Sequence, residues 1–304
     1  MVRLYSEAEE FINEIFWSET HDKSCNLDIP AIINARMIEH NKTKDPDYYG
    51  HREGVVHVTS LSKCLRGVAL EMLGAKKDSE IDPRKLGVFR AGNLFEEFIV
   101  DSLGDKMQDR QTEYSYPYKG LIFVGRDDGT ILYENVRRVL EAKSVRSDSF
   151  WYREKEGTLV STHNQAQLQT YLWFRRVLLN DPVDGIFTYI SKDDCTVIQA
   201  PVKFNQHIID DVVIPTMDIL AEAYAKKDAT LAPVPPMVVY SKARGQYQKN
   251  FIAAYCEYHN QCVGEGWLLE AGEIVTRKNK EAKEAAKEFK NTIKKDKSEV
   301  SPAV

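Results

Sequence analysis

The stretch EYSYPYKGLIFVGRDDGTILYENVRRVLEAKSV, residues 113–145, constrains the fold of this chain more than any other. It is rich in β-branched and aromatic residues and carries turn signals at Lys119-Gly120, Asp128-Gly129 and Glu134-Asn135. That pattern predicts two or three antiparallel strands. The sequence on either side has helical spacing instead. Upstream, apolar residues recur over 6–17 (Phe11, Ile12, Ile15, Phe16) and 28–40 (Ile29, Ile32, Ile33, Met37). Thr59 or Ser60 then caps a helix carrying Cys64, Val68, Leu70 and Leu73 and stopped by Gly74, and another runs from about Pro83 to Leu103. Downstream, HNQAQLQTYLWFRRVLL places Leu168, Tyr171, Leu172 and Leu178 on one broad face. GIFTYISKDDCTVIQAPV reads as a hairpin about Lys192-Asp193-Asp194, and 206–226 as a further helix. Helix, strand meander, helix and strand pair together predict an α/β (α+β) core.

From Pro233 the composition shifts. APVPPMVVYSKARGQYQ reads as a connector, NFIAAYCEYHNQCVGEGW as a compact segment with two cysteines, and 277–297 as a solvated Lys/Glu/Ala helix. The expected organisation is a helical region over 1–58, a core over 59–232, a cysteine-containing segment over 233–270 and a charged tail over 271–304. The 43% hydrophobic and 29% charged residues suit a water-soluble chain, and no apolar run approaches the ~20 residues of a membrane span. The N-terminus MVRLYSEAEEFINEIF has acids where a signal peptide has cations, so a cytoplasmic location is expected. A net charge of -5 argues against coating nucleic acid by bulk electrostatics, but not against a local basic groove beside an acidic metal site.

Glu-Ala-Lys occurs twice. At Glu281 it lies in helical sequence, where residues i and i+2 point about 200° apart and cannot converge on one ligand. At Glu141 it follows Val139 and Leu140 in strand sequence, where Glu141 and Lys143 share a face about 7 Å apart. One strand earlier, Gly125-Arg126-Asp127-Asp128-Gly129 brings Asp128 to the sheet end, with Asp127 as its neighbouring competitor. Asp128 and Glu141 on adjacent hairpin strands are suitable hard oxygen ligands for Mg²⁺. Gln167 and Tyr171, with His163 one turn earlier, occupy one helix face, and Gly92 precedes Glu96 by the same interval.

This series resembles the RecB-type branch of the PD-(D/E)xK nucleases, whose order is Gly-x-x-x-His, Gly-x-x-Asp, Glu-x-Lys and Gln-x-x-x-Tyr. The match runs from about Thr59 to Val202, with weaker similarity to Gly264. Asp-Pro-Asp at 45–47 is a decoy, because only Asp128 sits one hairpin before Glu141. The resemblance implies a mixed central sheet flanked by helices. It also implies that Glu96 (in place of the usual His), Asp128, Glu141 and the carbonyl of Ala142 ligate Mg²⁺ or Mn²⁺. Lys143 would orient or help deprotonate the attacking water, Gln167 would position Lys143 or a phosphate, and Tyr171 would buttress its helix or touch DNA. Glu97 reads as a surface carboxylate.

Relatives of this type often carry a 4Fe-4S cluster with one cysteine before the core and three after it. Here Cys64 stands upstream, but the downstream set is Ala253, Cys256 and Cys262. Three readings stay open: an iron–sulfur cluster, zinc held by Cys64, Cys256, His259 and Cys262, or a packed metal-free remnant. Cys25 or Cys195 could substitute as a ligand, although Cys195 lies in strand sequence and reads as core.

The expected function is a Mg²⁺- or Mn²⁺-dependent deoxyribonuclease, an exonuclease acting on single strands or DNA ends. Lys63, Arg66, Arg90, Arg126, Arg146 and Lys192 are candidate DNA-contacting cations, and Trp151 and Tyr152 candidate base-stacking residues. The rival readings are a non-catalytic DNA-binding adaptor, a structure-specific or restriction-type endonuclease, and an unrelated metal-dependent hydrolase with a chance order of motifs. The chain shows no helicase motif, so a helicase, a recombinase or a CRISPR-adaptation protein is the expected type of protein partner.

Overall fold

The computed structural model describes residues 53–78, 83–133, 135–147, 162–241 and 245–299, with Ala35, Ile38 and Glu39. The predicted helix at 6–17, most of that at 28–40, Cys25, residues 45–47, Trp151, Tyr152 and the side chain of His163 lie outside the described residues. Residues 1–44 and 45–304 form two compact units, and the described fold belongs to the second.

The predicted meander divides between two sheets. β1 (Val55–His57), β3 (Glu113–Tyr118) and β4 (Leu121–Arg126) form one, in the order β1-β4-β3, with β1 parallel to β4. β2 (Met107–Asp109), β5 (Gly129–Tyr133), β6 (Val136–Val145), β7 (Asp184–Ser191) and β8 (Val197–Val202) form the other, in the order β2-β5-β6-β7-β8. This five-stranded sheet is mixed: β6 and β7 run parallel, and the remaining pairs are antiparallel. Lys119-Gly120 and Asn135 turn their hairpins through positive φ as the sequence suggests. Asp128-Gly129 does not. It is the step at which the chain leaves one sheet for the other, and β4 does not pair with β5.

Helices cover both faces of the mixed sheet. α2 (Pro83–Leu103) lays Ile99 and Val100 on Leu140, Ala142, Ile186 and Ile190. α3 (Thr162–Leu179) lays Leu168 and Leu172 on Val139, Phe187 and Tyr189. Adjacent β6 residues therefore face opposite helices, as the pleat requires. Leu178, expected on the buried face of α3, is exposed near the helix end. A parallel β6–β7 pair needs a crossover, and α3 supplies it.

The three-stranded sheet packs its Val56, Tyr114, Leu121 and Phe123 against α1 (Leu65–Met72), α3 and α4 (Ile214–Lys226). α1 starts later than predicted. Thr59 and Ser60 lie in a 3₁₀ turn, Val58–Ser60, and Cys64 is the N-cap residue. The sequence read as a connector contains a hairpin of β9 (Val238–Ser241) and β10 (Gln246–Lys249). Two short helices follow, α5 (Phe251–Ala254) and α6 (His259–Val263), then α7 (Trp267–Glu299), which continues without a break through residue 270. Cys195, read as core, is an exposed residue of the β7–β8 turn, with φ of 58°. Among the described residues no helix is long and apolar enough to cross a membrane.

β4 and α3 touch at Gly125. A Cβ there would lie 2.7 Å from Tyr171 Cε1 and 3.0 Å from Val58 Cγ2, and the Tyr171 ring is buried. Gly125→Ala is expected to cost about 1–3 kcal/mol through overpacking, measured as a lower midpoint in urea at unchanged slope.

Candidate functional site

The β5–β6 hairpin sets the register of the site. Gly129 pairs with Leu140, so Asp128 enters β5 alongside Glu141, and Asp128 Oδ2 accepts the Ala142 N–H at 2.7 Å. Glu141 and Lys143 share a strand face and form an ion pair. Glu141 is fully buried, whereas the Lys143 side chain keeps 30% exposure. From α3, Gln167 Nε2 donates to Glu141 Oε1 at 2.8 Å. Gln167 thus positions Glu141, through the same oxygen that meets Lys143, rather than Lys143 directly. The other oxygen, Glu141 Oε2, is buried with no hydrogen-bond partner among the described residues.

Glu96 comes to the same place from α2. It is half-buried and close enough to feel Lys143, Glu141, Gln111 and Arg126. Glu97 is exposed, as expected of a surface carboxylate. A cleft of about 320 Å³ opens beside Glu96 and Asp128 at the end of β4, lined also by Arg126 and Tyr171 together with His57, Thr59, Ser60, Lys63 and Glu71. Tyr171 is 1% exposed and stacks on Tyr114 with ring centroids 5.7 Å apart, so its main contribution is to the wall.

Burial is the main cause of the unusual protonation here. It pushes Asp128 and Glu141 up to about 7, against the opposing pull of the Lys143 ammonium. Burial likewise raises Glu96, while Lys143 pulls it down and Glu141 adds to the rise. For Lys143, burial works to lower the pKa, but Glu141 and Asp128 outweigh it and hold the ammonium above its usual range. Between the ordinary carboxylate value of about 4 and 7, the folded metal-free protein keeps protons that the unfolded chain has released. Its stability therefore falls as pH rises through that window. Thermal midpoints in EDTA are expected to fall from pH 5 to pH 7.5, with a shallower slope in Asp128→Asn.

Asp127, the competitor of Asp128, points away from the cleft into a buried cluster. It accepts from the Tyr114 hydroxyl, from Arg175 Nη2 at 3.1 Å and from the Thr112 N–H at 3.1 Å. Arg175, 2% exposed, also bonds the Thr112 hydroxyl and Asp181. Sequence reasoning missed this residue. Its signal was the four-residue spacing Gln167, Tyr171, Arg175, which puts all three on one face of α3, where they hold Glu141, Gly125 and Asp127 in turn.

Of the candidate DNA-contacting cations, Lys63 and Arg126 line the cleft. Arg66 does not, because its guanidinium is bound to the carbonyls of Ala232 at 2.9 Å and Thr230 at 3.1 Å, tying α1 to the turn after α4. Arg90, Arg146 and Lys192 are also absent from the cleft wall.

The cysteines form a second centre. Cys64, Cys256 and Cys262 bring their sulfurs within 4.8 Å of one another, a group that could hold a metal ion. Cys64 is held down to about 3, first by its contact with Cys256 and then by Cys262. His259 is not part of this group. Its Nδ1 lies 3.0 Å from the Cys256 carbonyl, and its ring packs against Trp267. Ala253 is buried with Trp267 and Ala271 in a separate apolar cluster. The described residues therefore do not provide the four cysteines of a 4Fe-4S site.

Among the described residues the thiols of Cys64, Cys256 and Cys262 form the group close enough to hold an ion, and Glu96, Asp128 and Glu141 do not form a second one. These three carboxylates are nonetheless hard oxygen donors from separate stretches of the chain, and Glu141 carries a buried oxygen without a partner among the described residues. No family model matches this chain, and no curated protein matches it either. Among solved structures it is similar to SSO0001, known from a crystal structure, with a TM-score of 0.46 and 20% identity over 79% of this chain and 99% of that one. That likeness is too distant to carry an argument about fold or function.

Proposed function

We propose that the protein is a Mg²⁺- or Mn²⁺-dependent deoxyribonuclease that hydrolyses phosphodiester bonds in single-stranded DNA or at DNA ends. The observation that carries this reading is the proximity of Glu96, Asp128, Glu141 and Lys143, of which Glu96 and Asp128 line the cleft, with Glu141 Oε2 unpartnered among the described residues. Glu96, Asp128 and Glu141, with the Ala142 carbonyl, would hold the ion. When bound, it supplies Lewis-acid stabilisation of charge building on phosphate and makes water a stronger acid.

The chain's own groups account for the remaining work. Gln167 fixes the Glu141 carboxylate, and the Ala142 N–H fixes that of Asp128. In the metal-free protein Lys143 carries its proton, so it acts as a donor that orients water or phosphate rather than as a base. Lys63 and Arg126 supply cations at the cleft wall for neighbouring phosphates. The order of the motifs supports the RecB-type assignment, and with it exonuclease action.

The test is digestion of 5′- and 3′-labelled linear single-stranded DNA with Mg²⁺, Mn²⁺ or EDTA, with closed circular DNA alongside. Metal-dependent shortening of linear DNA while circles stay intact is the expected result. Cleaved circles would assign the cleft to an endonuclease. Bound but uncut DNA would assign it to an adaptor of a recombination or CRISPR-adaptation complex.

A further inference from the structure

The spacing of the thiols decides what kind of metal they fit. Cys64 and Cys262 sulfurs lie 3.8 Å apart, and those of Cys256 and Cys262 3.9 Å. Tetrahedral ligands on one ion, with metal–sulfur bonds of about 2.3 Å, stand about 3.8 Å from each other. The thiolates of an iron–sulfur cubane each bind a different iron and must stand much farther apart. We infer that Cys64, Cys256 and Cys262 form a mononuclear Zn²⁺ site, with three thiolates as its ligands and a fourth position that no described residue fills.

Two further features of the chain suit this site. The first is space. A Cβ at Gly67, in the first turn of α1, would lie 2.6 Å from Cys256 Sγ and 3.6 Å from Cys64 Cβ, so only glycine lets the helix approach the sulfurs so closely. The second is position: Cys64 is the N-cap residue of α1, which places its sulfur at the end of the helix where backbone N–H groups favour a negative charge. As the ion enters, each thiol gives its proton to solvent and its sulfur takes a coordination bond. The bound ion would join α1 to the segment before α7 across 198 residues of sequence. This site is separate from the carboxylate cleft and does not depend on DNA cleavage.

The experiment uses the full chain, reduced and stripped with EDTA, titrated with Co²⁺ and then Zn²⁺. One equivalent of Co²⁺ is expected to give thiolate-to-cobalt charge-transfer and tetrahedral visible bands, which one equivalent of Zn²⁺ abolishes. Zn²⁺ should protect Cys64, Cys256 and Cys262 from iodoacetamide in peptide mass spectra, while the exposed Cys195 stays reactive. Cys262→Ser should lose the charge-transfer band. Gly67→Ala, which keeps all three thiols, should weaken Co²⁺ binding by about tenfold. Absence of the band in wild-type protein would overturn the inference, and so would an unchanged band in Cys262→Ser. Isolation of the chain with a four-iron cluster would overturn it as well. The wild-type titration and the protection pattern do not depend on any variant folding.

Discussion

Glu141→Gln is expected to lower metal-dependent cleavage of linear DNA by about 10²–10⁴-fold, the scale of losing a group that acts directly on the reacting centre. The same change should raise the thermal midpoint in EDTA at pH 8. The two signs have one cause. At that pH Glu141 is a carboxylate in a fully buried position, and burial is what pushes its pKa up to about 7. Glutamine keeps the shape and can still meet Gln167, but it carries no charge to desolvate and none to offer a cation. Lys143→Met should reduce cleavage on the same scale without the gain in stability, because it leaves Glu141 buried without its ion-pair partner. Loss of activity with gain of stability is the signature of a group kept for function. Equal cleavage by wild type and Glu141→Gln would place the chemistry elsewhere. A lowered midpoint would make Glu141 a structural residue.

Arg175→Met is expected to destabilise the fold by about 3–5 kcal/mol, since it leaves a buried partner charge uncompensated. For a chain of this size that is a fall of roughly 10 °C in the midpoint. The guanidinium is 2% exposed and joins Asp127, Asp181 and Thr112 between α3 and the β3–β4 region. Burial already raises the Asp127 pKa, with Tyr114 and Arg175 opposing that rise. Without Arg175 the carboxyl takes a proton more readily, so the defect should be smaller at pH 5 than at pH 8. Asp127→Asn combined with Arg175→Met should recover part of the loss, because no buried charge is then left alone. A loss below about 1 kcal/mol, the scale of a surface ion pair, would show that the cluster is better solvated than its burial indicates.

These two residues differ in how far the sequence announces them. Glu141 and Lys143 are legible because a strand's period of two is local: once 136–145 is read as a strand, both side chains must share a face. Asp128 is legible through the hairpin, whose register follows from the turn at Asn135. The bounds of α2 also follow from local signals, with proline at its start and glycine after its end. The choice between Asp127 and Asp128 is less accessible, because it depends on which neighbour Arg175 captures from another element. Arg66 misleads for the same reason: a cation near a motif gives no sign that two carbonyls some 160 residues away have already engaged it.

The sequence by itself determined the helix and strand alternation, the sharing of one strand face by Glu141 and Lys143, and the helix face carrying Gln167 and Tyr171. Each follows from backbone periodicity or turn chemistry acting within a few residues. Only the tertiary structure decided that Asp128-Gly129 joins two sheets instead of turning one hairpin. It also decided that Lys63 and Arg126 reach the cleft while Arg90, Arg146 and Lys192 do not. In the same way it gathered Cys64, Cys256 and Cys262 and left His259 and Ala253 aside. Those outcomes depend on burial and side-chain packing between segments distant in the chain, and no local window of residues contains both partners of such a contact.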